Sequence, residues 1–174
     1  MKKIVFFDGD GTLWYPKLTK YTKVPWWIYT ASETAKNPNR HMILTPTTLS
    51  TLKRLRAKEI ILVILSTHPH PPEEADMVLK KKVKHFELDQ LFDEIHATRT
   101  YHESKGEMML KILKRRKIPK SKALIVGDKY DWDYRPARKN GIDAVLIISD
   151  YEKNHARWNI CRKIKRIKDV LRYI

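Results

Sequence analysis

Short apolar runs separated by amphipathic stretches recur along the chain. They are KIVFF near residue 5, IILVIL at 60–65, EIHA near Ile95, ALIV at 123–126 and AVLII at 144–148. Such runs, separated by helical segments, predict strands of a sheet covered on both faces, about five in all. The stretches between them carry helical periods. LTPTTLSTLKRLRAK offers Thr45 as an N-cap, Pro46 at the first helical position and leucines 49, 52 and 55 along one face. PPEEADMVLKKKVKHF has acids in its first turn and lysines in its last, as the helix dipole favours. SKGEMMLKILKRRK directs Met109, Ile112 and Leu113 to a core, and RPARKNG predicts a short fourth helix stopped by Asn140-Gly141. Strands alternating with helices predict an α/β fold with a parallel sheet and helices on both faces.

Two segments depart from this rhythm. Residues 15–44 have weak periodicity around the cluster Val24-Pro25-Trp26-Trp27-Ile28-Tyr29. A long stretch without a clear element suits a functional loop, so 15–44 is expected to form a flap or lid over the loop before it, with Trp26 and Trp27 either covering that loop or packing on the core edge. At the other end, Ile160, Ile164, Ile167, Leu171 and Ile174 repeat at intervals of four and three among Arg162, Lys163, Lys165, Arg166, Lys168 and Arg172. That pattern predicts a basic amphipathic helix over 155–174, with Cys161 buried on its apolar side.

With 174 residues and 42% hydrophobic content, the chain suits a single domain over 1–174. One cysteine, Cys161, rules out an internal disulfide framework. No run approaches the roughly 18 apolar residues of a membrane span. A secretory leader is not evident either, so a soluble, cytoplasmic protein without a membrane partner is expected. The 36 Lys and Arg against 20 Asp and Glu leave a net charge of +16, which attracts polyanions and phosphorylated ligands and permits nucleic acid as a partner without requiring it.

The chemistry collects where parallel strands end, the place at which open α/β sheets bind ligands. Asp8 and Asp10 follow the first run, Ser66 and Thr67 close the second, Lys105 opens the helix after the third, and Asp128 follows the fourth, with Asp131 and Asp133 shortly beyond. Two aspartates on a glycine-rich turn repel each other unless a cation offsets their charge, so the pair reads as half of a metal site. Asp8, Asp10 and Asp128 make an oxygen-only donor set suited to Mg²⁺. A hydroxyl from Ser66, with Thr67 as its rival, and the Lys105 ammonium are placed to hold phosphoryl oxygens. His68 and His70, in STHPHPP, fit a solvated proline-rich turn and are not needed for such a site.

These blocks carry a family resemblance. DGDGTLW resembles the DxDGT motif that opens the haloacid dehalogenase-like (HAD) phosphatase superfamily, LVILS its second motif, Lys105 its third, and VGDKYDWD its fourth. The similarity spans about residues 3 to 148 and is greatest to the small magnesium-dependent phosphatases that lack a large cap domain. It implies a three-layer Rossmann-like fold with an open crater and a Mg²⁺-dependent phosphomonoester hydrolase acting through an aspartyl-phosphate. Asp8 would be the nucleophile, Asp10 the acid and base, Asp10 also a metal contact through its backbone carbonyl, and Asp128 a metal ligand. Asp133, or else Asp131, would support the metal. Asp10 favours phosphate chemistry over dehalogenation, which needs no proton donor at that position. The substrate could be a small phosphorylated molecule or a macromolecule. The competing readings are a phosphatase directed at polynucleotide ends, a nucleic-acid-binding protein that retains the site, and a phospho-acceptor signalling module.

Overall fold

The computed structural model describes residues 1–67, 72–98, 103–152 and 158–174; of Pro72 and Glu73 it describes the backbone only. His68 and His70 lie outside the described residues.

All five predicted strands form. They are β1 (Ile4–Phe7), β4 (Ile61–Thr67), β5 (Glu94–Thr98), β6 (Ala123–Gly127) and β7 (Asp143–Ile147). A sixth, β8 (Lys163–Ile164), extends the sheet to the order β5-β4-β1-β6-β7-β8, with every neighbouring pair parallel. β1 occupies the point where the chain turns from one half of the sheet to the other, flanked by β4 and β6 in the registers Phe7↔Ile64 and Phe7↔Val126. Its carboxyl end is therefore the crevice of the fold.

Side-chain alternation divides the core into two layers. Val5, Phe7, Leu62, Ile64, Leu124 and Val126 face helices α1 (Thr48–Arg56) and α2 (Pro72–His85) through Leu52, Leu55, Leu79 and Val83. Ile4, Phe6, Val63, Leu65 and Ile125 face α3 (Lys105–Arg115) and α4 (Arg135–Lys139) through Met109, Ile112, Leu113 and Ala137. The result is three layers, helix on sheet on helix, and the described residues hold no large cap domain.

Helix α1 begins later than its sequence suggests. Its N-cap is Thr47, and Thr45 is not a cap, because the Thr45 amide donates to the Leu13 carbonyl at 2.9 Å and the chain there is still tied to the loop after β1. Thr48, Thr51, Leu52 and Leu55 form the buried face, and Leu49 is exposed. Segment 15–44 also holds more structure than its periodicity implies. Strands β2 (Trp14–Pro16) and β3 (Met42–Leu44) pair antiparallel, with 3₁₀ turns at Pro25–Tyr29 and Pro38–His41 between them. Ile28 and Met42 anchor it in the core, and Trp27 packs partly against the same cluster.

The expected C-terminal helix over 155–174 does not form among the described residues. The chain instead adds β8 to the open edge of β7, with Leu146 N–H donating to Arg162 O at 3.0 Å and Ile148 N–H to Ile164 O at 2.9 Å. It then turns through a 3₁₀ helix, Ile167–Tyr173. An unpaired sheet edge offers a row of unmet donors and acceptors, and pairing with it outcompetes a basic helix. Residues i and i+3 lie over one another in a 3₁₀ helix, and Ile167 and Val170 are the two it buries. Cys161 consequently lies on no helix and is exposed.

Candidate active site

The carboxyl ends of β1, β4 and β6 open into one cavity of about 350 Å³, lined by Asp8, Asp10, Ser66, Thr67, Lys105, Asp128 and Asp133 among others. Asp8 is the first residue past β1, and its amide donates to Val126 O on β6 at 2.9 Å, which extends the ladder up to Asp8 itself. Gly11 then turns the loop with φ +86, and a Cβ there would lie 2.5 Å from Asp128 Oδ2. The loop can approach Asp128 only because that position carries no side chain.

Three carboxylates, Asp8, Asp128 and Asp133, each place an oxygen within 4.8 Å of the others, and all three are buried. Lys105 enters from the start of α3, where Ser104 and Glu107 form a reciprocal capping box. Its Nζ donates to both Asp8 Oδ1 and Asp133 Oδ1, and two carboxylates raise the pKa of its ammonium despite burial. Asp133 arrives through a π-helical turn at Tyr130–Tyr134, in which Tyr134 N–H reaches back to Lys129 O at 3.3 Å. Its carboxylate presses on Gly127, where a Cβ would lie 2.2 Å from Asp133 Cγ, and accepts from the Lys129 amide at 2.9 Å. Asp131 is left outside, paired with Arg135 at 2.9 Å. Asp128 accepts from Tyr151 OH at 2.6 Å and from Thr12 Oγ1 at 3.4 Å.

One lysine among three buried acids leaves negative charge uncompensated. Burial, outweighing the adjacent Lys105, pushes the Asp8 carboxyl up to about 6. Burial, with Asp8 and Asp133 alongside, drives Asp128 well above the carboxylate range. Such a cluster of hard oxygen donors fits a divalent cation.

Asp10 lines the same cavity, but its carboxylate is held from another side. Oδ1 accepts from Lys82 Nζ at 2.7 Å and from the Trp14 indole, and Oδ2 accepts from Tyr29 OH. Burial alone would raise Asp10, yet Lys82, joined by the Tyr29 and Trp14 donors, holds it below the usual range. Lys82 is itself 1% exposed and lies 4.8 Å from the centre of the Tyr29 ring and 5.6 Å from that of Trp14. Ser66 is buried, 3.2 Å from where a Cβ on Gly9 would sit, and Thr67 Oγ1 is spent on Thr98 Oγ1 at 3.2 Å.

The sequence gives Lys82 and Tyr151 no part in the site, and it names Tyr29 and Trp14 only within the aromatic cluster and the DGDGTLW motif. Lys82 had a signal, since it falls with Ala75, Leu79 and Val83 on the buried face of α2, where a lysine needs a partner. Tyr29 and Tyr151 had none, because their contacts cross between distant segments.

Carboxylates and a lysine thus meet at the crevice of the parallel sheet of an α/β protein. A model of the family described as haloacid dehalogenase-like hydrolase matches residues 14–147, most of the chain, and the chain belongs to that family. Solved structures with the same fold include a haloacid dehalogenase-like family hydrolase from Streptococcus pneumoniae, 17% identical with a TM-score of 0.74 over 99% of this chain and 98% of that one. A candidate phosphatase from Clostridium difficile is 18% identical, with a TM-score of 0.72 over 99% of this chain and 98% of the other. A HAD-superfamily hydrolase of subfamily IA from Geobacter sulfurreducens is 17% identical, with a TM-score of 0.70 over the whole of both chains. Comparison with curated proteins finds no match. No helix among the described residues is long and apolar enough to cross a membrane.

Proposed function

We propose that the protein is a Mg²⁺-dependent phosphatase that hydrolyses a phosphomonoester through a phosphorylated Asp8. The observation that carries this reading is the meeting of Asp8, Asp128 and Asp133 within 4.8 Å of one another, bridged by Lys105 at the crevice of the sheet. Asp8, Asp128 and the backbone carbonyl of Asp10 would hold the ion, with Asp133 in support. The ion would supply positive charge beside the phosphoryl oxygens, allowing two anions to approach each other.

The chain's own groups do the rest. An Asp8 oxygen attacks phosphorus in line, the bond from phosphorus to the ester oxygen breaks, and that oxygen leaves with a proton from Asp10. Lys105 and Ser66 stabilise the phosphoryl oxygens as charge redistributes. In the second half a water attacks phosphorus, Asp10 takes its proton, and inorganic phosphate leaves as the Asp8 carboxylate is restored. Lys82, Tyr29 and Trp14 favour Asp10 as the carboxylate, the form that accepts the water's proton. Loading a proton for the first half works against those same contacts.

The test is release of inorganic phosphate from an aryl phosphate over many turnovers, with and without Mg²⁺. Turnover that needs the ion and falls by roughly 10⁴-fold or more in Asp8→Asn supports the reading. Unimpaired turnover in that variant would sink it. A single stoichiometric phosphorylation without release would mark a phospho-acceptor instead.

A further inference from the structure

We propose that Trp26 and Trp132 form a stacking subsite at the mouth of the cavity, which selects phosphomonoesters whose leaving group carries a planar aromatic ring. The proposal rests on the phosphatase reading and names the substrate class of that site. Three of the large apolar side chains left exposed, Val24, Trp26 and Trp132, line the one cavity that contains Asp8. Both indoles are 44% exposed, whereas Trp14 is fully buried and Trp27 packs on the core. The fold thus buries some indoles and leaves these two at the site.

Each indole is built onto an element that also holds a carboxylate of the site. Trp26 lies in the 3₁₀ turn opened by Pro25 and packs edge-on against Tyr29, with centroids 6.3 Å apart at 67°, and Tyr29 OH donates to Asp10. Trp132 lies in the π-helical turn beside Asp133, which faces inward to Lys105 while Trp132 remains in the cavity mouth. A ring bound between these elements is fixed relative to the acids at the reacting end.

The charged groups of the rim are matched among themselves. Lys129 pairs with Glu152, and Asp131 pairs with Arg135. Among the described residues of the rim, those outside these pairs are apolar: two indoles, Pro25 and Val24. This lining suits the π-face of a nucleobase or a phenyl ring and offers little to a short aliphatic or acidic leaving group.

The experiment compares kcat/KM for nucleoside 5′-monophosphates, for phenyl phosphate and tyrosine phosphate, and for glycerol phosphate and serine phosphate. The native enzyme is expected to favour the planar compounds at least tenfold, through KM. The nucleoside and phenyl arms tell which ring the subsite takes. Trp26→Ala and Trp132→Ala should each raise KM about 5- to 100-fold more for planar than for aliphatic substrates, with Phe at either position restoring most of the difference. Equal losses for planar and aliphatic compounds, or no losses, overturn the proposal. Binding is measured separately by calorimetry, with adenosine 5′-monophosphate and phenyl phosphate added to Asp8→Asn. Binding there that is lost with the indoles, in a protein whose native form turns over no ester, breaks the phosphatase reading and keeps the subsite. Turnover without preference for rings breaks the subsite alone.

Discussion

The two ends of the sheet handle their acids in opposite ways. At the amino ends of β7 and β5, the first acid of each strand is matched to cations. Asp143, which opens β7, contacts Lys2 at 2.6 Å, Arg162 at 2.9 Å and Arg138 at 3.1 Å. Glu94, which opens β5, accepts from His96, Arg115 and Arg116; burial would raise its pKa, but these three hold it near about 2. At the carboxyl ends Asp8, Asp128 and Asp133 share one lysine, and burial pushes Asp8 up to about 6. Charge at the first end is settled by the chain and serves stability. Charge at the second is left open, which costs stability and, on the proposed function, serves to bind an ion and a phosphoryl group. Asp10 is the exception at that end, because Lys82 answers it.

The contrast can be broken in several ways. The largest effect is expected from the ion. Mg²⁺ at a hundredfold its dissociation constant should raise Tm by roughly 5–10 °C in a chain of this size, and Asp128→Asn should erase most of that shift in a thermal melt. An equal shift in the variant would mean that the ion sits elsewhere. Next is Lys82→Met, which releases Asp10. Steady-state kinetics should show kcat lower by about 10- to 100-fold with KM little changed, and Lys82→Arg should retain part of the rate.

Two pH profiles of Tm in metal-free protein then test opposite signs. The folded-state pKa of Asp8 lies above its ordinary 3.8, so the folded protein binds the extra proton and the group lowers stability as pH rises from about 4 to about 6. Asp8→Asn should therefore raise Tm above pH 6 and leave it unchanged below pH 4. Glu94 is held below its ordinary 4.5, so its contribution is present above that value and is lost as pH falls toward about 2. Glu94→Gln should lower Tm by roughly 2–4 °C near pH 7, with the gap closing in acid. Matching signs for the two variants would refute the division between the ends.

Most of this arrangement is legible in the sequence because its signals are local. A strand buried on both faces must be apolar throughout, and a residue just past its end must lie at the rim. That logic placed Asp8, Ser66, Lys105 and Asp128 near one another before any coordinates. Strand-end logic left Asp131 and Asp133 both open, and the family resemblance favoured Asp133. The π-helical turn draws in Asp133 and leaves Asp131 to Arg135. Nor could it find Lys82 as the partner of Asp10, since the run Lys80-Lys81-Lys82 reads as a solvated helix end unless the helix's buried face is followed through it.

What the chain determines by itself, then, is the set of strands, their covering helices and the acids at their ends, since each depends on the period and composition of a few neighbouring residues. The tertiary structure alone decided that residues 163–164 become a strand, because the demand came from the unpaired edge of β7 and not from the segment's own pattern. It alone decided which acids share a cation and which indoles stay exposed. Those outcomes depend on how far apart in space the folded layers bring groups that are distant in sequence, and electrostatic and packing energies are set by that separation.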